Sequence, residues 1–195
     1  MKSRNDTEHL ESNPWKGLFA GVVGGLVGSL AMNLYQESIS KFIIGEKRSH
    51  GAQSFQKGSP DHGAGKMLKE KGKESSEDDA PERLANTISV GLFDHELTLR
   101  EKQIAGTAFH YAYGTSMGAV YGIAAETSDK ATIGAGMPYG FLIWLGADEG
   151  VVPLLGLSKS AEDYPFSVHA GACSSHLVYG LTTELVRNAV RKAIE

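Results

Sequence analysis

Polar and apolar positions fall into blocks along this chain. No residue from Gly17 to Gln36 is charged, Ile104 to Ala125 is also free of charge, Ala131 to Leu157 carries only Asp148 and Glu149, and Pro165 to Thr183 carries none. Each block reaches or exceeds the span of about 18 to 22 residues that a helix needs to cross a hydrocarbon core of roughly 30 Å. The pattern predicts an all-α polytopic membrane protein, a four-helix transmembrane bundle with crossings near 15–36, 104–126, 132–157 and 165–186. A polar N-terminal tail (1–14) precedes the first crossing. A long polar connection (37–103) separates it from a three-helix region (104–187), and a basic tail (188–195) follows.

Local signals support the ends of these helices. Asn13-Pro14 suits an N-cap followed by proline in the first turn, and Trp15 and Tyr35 bracket the first crossing as interfacial anchors. Thr98 and Glu101 match a capping box ahead of the second crossing. The third block is longer than one straight crossing needs, so a tilt, kink or break is expected, with Pro138 and Pro153 as kink candidates and Asp148 as a residue that could serve a break. In the connection, 50–80 is rich in Gly, Ser, Lys and Glu and reads as largely disordered, with His50 and His62 as solvated histidines. Leu84, Ile88 and Leu92 share one helical face near 81–97, predicting an amphipathic helix on the membrane surface or against the bundle.

Glycine changes the picture next. There are 24, and they repeat at four-residue spacing: Gly17, Gly21 and Gly25 in the first block, and Gly106, Gly114, Gly118 and Gly122 with His110 in the second. In a membrane such stripes let helices approach closely. Gly21, Gly25, Gly114, Gly118 and Gly122 are therefore the expected packing residues, and they would also permit self-association. Totals alone mislead: mean hydropathy is −0.21 and 22% of residues are charged, but the charge sits mostly in the connection. A net charge of −4 suggests no nucleic-acid partner, a single cysteine excludes an internal disulfide, and the N-terminus is too polar for a cleaved signal peptide. Basic residues flank the first and last crossings (Lys2, Arg4, Lys16; Arg187, Arg191, Lys192), which predicts cytoplasmic termini.

Candidate chemistry lies in the ionisable groups within the apolar blocks. His110, Asp148, Glu149, His169, His176 and Glu184 form the expected polar interior. Counted along their helices, the histidines and Asp148 fall in one half of the bilayer or near its middle, and His169, Cys173 and His176 share a face. A charged Asp at a helix centre costs about 2.5 to 3.5 kcal/mol on insertion scales, so these groups must pair, be neutral or be wet. They could conduct protons or a small solute, respond to pH, hold a metal through His110, Asp148 and His176, hold a haem between two histidines, or simply fix packing as a structural subunit. No nucleophile elbow, CxxCH, HExxH or phosphate loop is present, so an enzyme is not expected. No cofactor can be named.

The segments FHYAYGTSMGAVYG, ADEGVVPLLGLS and YPFSVHAGACSSHLVYGLTTELVR resemble the YagU-like family of bacterial inner-membrane proteins, over 103–187 and more weakly over 15–35. The resemblance implies a multi-pass inner-membrane protein surrounded by lipid, and no known activity. His110, Pro153, His176 and Glu184 fall on matching positions, whereas Asp148 stands where the family's namesake carries a histidine. The long connection is not covered by the resemblance.

Overall fold

The computed structural model describes residues 13–44, 54–73 and 75–194. Among them the architecture is all-helical. α1 spans Pro14–Ile44, α2 Gly63–Glu70, α3 Ala80–Phe93 and α4 Leu99–Thr127. A third long rod is made of α5 (Met137–Ile143), a π-helical turn (Trp144–Val151) and α6 (Val152–Leu154), and α7 spans Phe166–Ala193. The sequence expects a disordered 50–80, but its described part folds. His50 and residues 1–12 lie outside the described residues.

The helix ends follow their sequence signals. Asn13 accepts the Lys16 N–H through Oδ1 at 3.2 Å. Thr98 and Glu101 complete the reciprocal capping box of α4. The third rod starts later than the expected 132, because Gly134, Ala135 and Gly136 all adopt positive φ and turn the chain before Met137. Pro138 lies in the first turn of α5, where its missing N–H costs nothing. The rod's irregularity is the π turn. Pro153 cannot donate to Glu149 O as an α-helix would require, and its ring would crowd that carbonyl. The wider π register ahead of it relieves both.

α1 lies between α4 and α7, and the rod packs on α7. Each contact is antiparallel and built on glycine. Gly17 meets Gly122, Gly21 meets Gly118, and Gly25 meets Gly114, so closely that a Cβ would strike backbone atoms of the facing helix. Gly24 and Gly28 approach Thr183 on α7, and Gly140 approaches His176 O. The expected packing glycines are thus engaged within one chain, which occupies the stripes that self-association would use. The stripe on α4 is also divided: Gly106 faces Glu82 of α3, and His110 faces a cavity.

A polar cap covers one end of the bundle. Arg83, fully buried, donates to Gly58 O (2.6 Å), Leu157 O (2.8 Å) and Ser75 O (2.8 Å). It ties the connection to the end of the rod. Lys102 and Asp78, both buried, pair at 2.9 Å. The first turn of α2 donates to Leu155 O and Gly156 O, and exposed His62 donates from Nε2 to Pro153 O at 2.7 Å. α3 packs against α4, and Leu84 of its apolar stripe lines the cavity between the helices. Its inner face carries Glu82, Arg83 and Asn86, Ile88 and Leu92 point outward, and it ends at Phe93 rather than near 97.

Candidate functional site

The π turn puts two acids side by side against α7. Glu149 Oε1 lies 2.7 Å from His169 Nδ1, and the other ring nitrogen of His169 meets Ala161 O at 2.9 Å. A carbonyl only accepts, so Nε2 carries a hydrogen. The second nitrogen then shares one proton with Glu149, as imidazolium and carboxylate or as imidazole and carboxylic acid. About two turns further along α7, His176 donates from Nδ1 to Ala172 O at 2.9 Å. Asp148 Oδ2 stands 3.7 Å from that nitrogen, within ion-pair range but beyond hydrogen-bond range. Among the described residues no donor bonds the Asp148 carboxylate. The π turn and α7 thus bring these four side chains together as two neighbouring histidine–carboxylate pairs.

Asp148 and His176 line a cavity of about 700 Å³, and so does His110. It lies between α4 and the third rod, against α1 and α7. Its other walls are mainly apolar, with Met32, Phe109, Leu142 and Ile143 among them. At the cap end it is bounded by buried Phe55 and Gln56, the latter with its amide nitrogen unpartnered. At the other end α4 and the rod meet through side chains: Tyr139 donates to Met117 O at 2.8 Å and stacks on Tyr121 at 4.8 Å. Sharing a cavity is not sharing a metal. Among the described residues no three His, Cys, Asp or Glu side chains gather to hold an ion, so the candidate set His110, Asp148, His176 does not form a coordination site.

Glu184 leaves the expected site. It is held by Arg187 in a two-pronged pair, Nε to Oε2 at 2.7 Å and Nη2 to Oε1 at 2.9 Å. Arg191 bonds Glu126 at 2.8 Å, and Glu126 also accepts the Asn13 N–H at 3.1 Å. This buried network joins the start of α1, the end of α4 and the end of α7. Glu184 is about 12 Å along the helix from His176, too far to belong with it. The signal was present in the sequence, since Glu184, Arg187 and Arg191 share a helical face, but Glu126 read as a turn residue.

The cavity is a mainly apolar concavity whose volume falls in the range of about 300 to 1,000 Å³ common among ligand pockets, and it carries a few polar groups. A family model described as "Protein of unknown function (DUF1440)" matches residues 62–185. The chain belongs to this DUF1440 family. That agrees with the YagU-like resemblance and extends it. The DUF1440 match begins at His62, so α2 and α3 fall within it, whereas α1 and the cap residues Phe55, Gln56 and Gly58 precede it. No curated protein and no solved structure matches the chain. Pro14–Ser40 is long and apolar enough to cross a membrane.

Proposed function

We propose that this DUF1440 protein crosses the bacterial inner membrane four times, by α1, α4, the third rod and α7, and binds a small, mainly apolar solute in the cavity, with Asp148 and His176 as the polar anchor. The observation that carries this reading is a carboxylate that no donor among the described residues bonds, beside a histidine, in a mainly apolar cavity of about 700 Å³. The distribution of side chains supports the membrane part. Leu26, Leu30 and Leu34 on α1, Val120 on α4, Leu145 on the rod and Leu185 on α7 point outward, while Ser29, Gln36, Ser175, His176, Thr183 and Glu184 point inward. In water that exterior would forgo about 25 cal/mol for each Å² of apolar surface left uncovered. The start of α1 and the end of α7 share one end of the bundle through Glu126. The basic residues flanking both support a cytoplasmic placement of that end.

Native mass spectrometry of protein extracted with its lipid by a copolymer tests the reading. The wild type is expected to carry a bound small molecule, with occupancy reduced about tenfold in Asp148→Ala, the loss of one charged hydrogen bond, and reduced also in His176→Ala. A wild type without a bound molecule, or occupancy unchanged in both variants, contradicts it.

A further inference from the structure

The walls of the cavity indicate where its ligand comes from. Residues that line it and are also exposed mark its mouth. Phe109 and Tyr113, one turn apart, form the lip on α4, and Leu142, Gly146 and Val151 form the lip on the third rod. Leu142 is 62% exposed and Tyr113 48%. These positions are on the side of the bundle, where α4 and the rod stand apart between the cap and the Tyr139–Met117 contact. A portal for a polar solute from water would carry polar groups at its rim. This rim is apolar and continues the outward apolar surface of the bundle.

The polar lining indicates the head group. Among the described residues Asp148 is the one acid that lines the cavity, and no Lys or Arg does. Four donors of the lining are engaged with backbone carbonyls: Ser29 with Gly25 O at 2.9 Å, Tyr139 with Met117 O at 2.8 Å, Tyr179 with Gly114 O at 2.6 Å, and His176 with Ala172 O at 2.9 Å; the Gln56 amide nitrogen, which no described acceptor bonds, is at the cap end. With no Lys or Arg in the lining, an anion entering here would meet the Asp148 carboxylate, with His176 as the one neighbouring group able to offset its charge. A donor would meet the Asp148 oxygens, which no described donor bonds.

We infer that the cavity opens sideways into the bilayer and takes an amphiphile from it, an apolar chain whose head donates hydrogen bonds to Asp148, a hydroxyl or an ammonium. This rests on the membrane reading proposed above and specifies the ligand class of the same site. Phosphate and carboxylate heads are disfavoured.

The test uses the full chain in phosphatidylcholine nanodiscs with photoreactive long-chain alcohol, amine and carboxylic acid probes of equal length. The alcohol and the amine are expected to label peptides of α4 and the third rod, and the acid about tenfold less, the equivalent of one charged hydrogen bond. Asp148→Ala should remove the preference between heads while keeping chain-dependent labelling. Gly146→Trp should reduce labelling by all probes, since a side chain at Gly146 enters open space at the mouth and meets nothing within 4 Å. Leu142→Trp provides a second block at an exposed position should the first variant fold poorly. Equal labelling by the acid overturns the head-group assignment. Absence of labelling by every probe overturns lateral entry. If native mass spectrometry then still finds a water-soluble occupant that depends on Asp148, the binding site stands without it; if it finds none, both readings fall.

Discussion

At Gly118 the backbone of α1 comes so near that a Cβ would strike Gly21 O and Gly25 Cα. Backbone cannot swing aside as a side chain can, so Gly118→Ala is expected to destabilise the protein by about 1 to 3 kcal/mol, the usual cost of overpacking. Gly91 on α3 meets nothing within 4 Å. Gly91→Ala should be neutral or stabilise by up to about 1 kcal/mol. Unfolding of the two variants in mild detergent checks this, and equal effects would contradict the account of the stripes. The four-residue glycine spacing was legible because a helical period is a property of the sequence. The partner of each stripe was not, since it depends on helix rotation: Gly106 faces an acid and His110 a cavity, although both continue the row of Gly114 and Gly118. The pairing of Glu184 was legible, because its nearest cation lies on its own helix, three residues on.

Among the elements, α3 and its cap deviate most from the sequence pattern. The apolar stripe Leu84, Ile88, Leu92 left open whether α3 lies on the membrane surface or against the bundle, and its inner face is set by Arg83, which donates to carbonyls 25 and 74 residues away. Such long-range bonds leave no periodic trace. One consequence is a pH dependence. Burial, with Asp79 and Asp78 adding to it, raises the Glu82 carboxyl from 4.5 to about 7. The folded chain therefore binds this proton more tightly than the unfolded chain does. The stability it contributes is complete below about pH 4.5 and is lost as pH rises through about 7. Hydrogen exchange across α3 should show the cap loosening between pH 5 and 7, roughly the interval between those two values, and Glu82→Gln should flatten that slope. An unchanged slope in the variant would remove Glu82 as the cause. The third rod gives a further example. Its excess length pointed to an irregularity, and two prolines were candidates. The observed solution is a π turn that also carries Asp148 and Glu149, a kind of helix defect often found at functional sites.

Along the four long segments, leucines and valines such as Leu30, Val120, Leu145 and Leu185 face outward while His176, Glu184 and Arg187 are buried, so composition and arrangement must be read together. Only α1 declares itself by composition among the described residues, because α4 and α7 carry glycine, histidine, serine and threonine on their inner faces. The block pattern made four long segments legible, and their outward residues are what a bilayer would cover. The cavity was not legible, since it arises where α4 and the third rod fail to close on one another. The alternative is a single crossing with the remaining helices in water. Thiol labelling decides between these most directly. In a Cys173→Ser background, cysteines replace Leu30, Val120, Leu145 and Leu185, exposed positions on α1, α4, the rod and α7. Four crossings predict that all four resist a membrane-impermeant maleimide in native membranes and react once the protein is denatured. Rapid labelling at Val120, Leu145 or Leu185 with Leu30 protected would contradict the account.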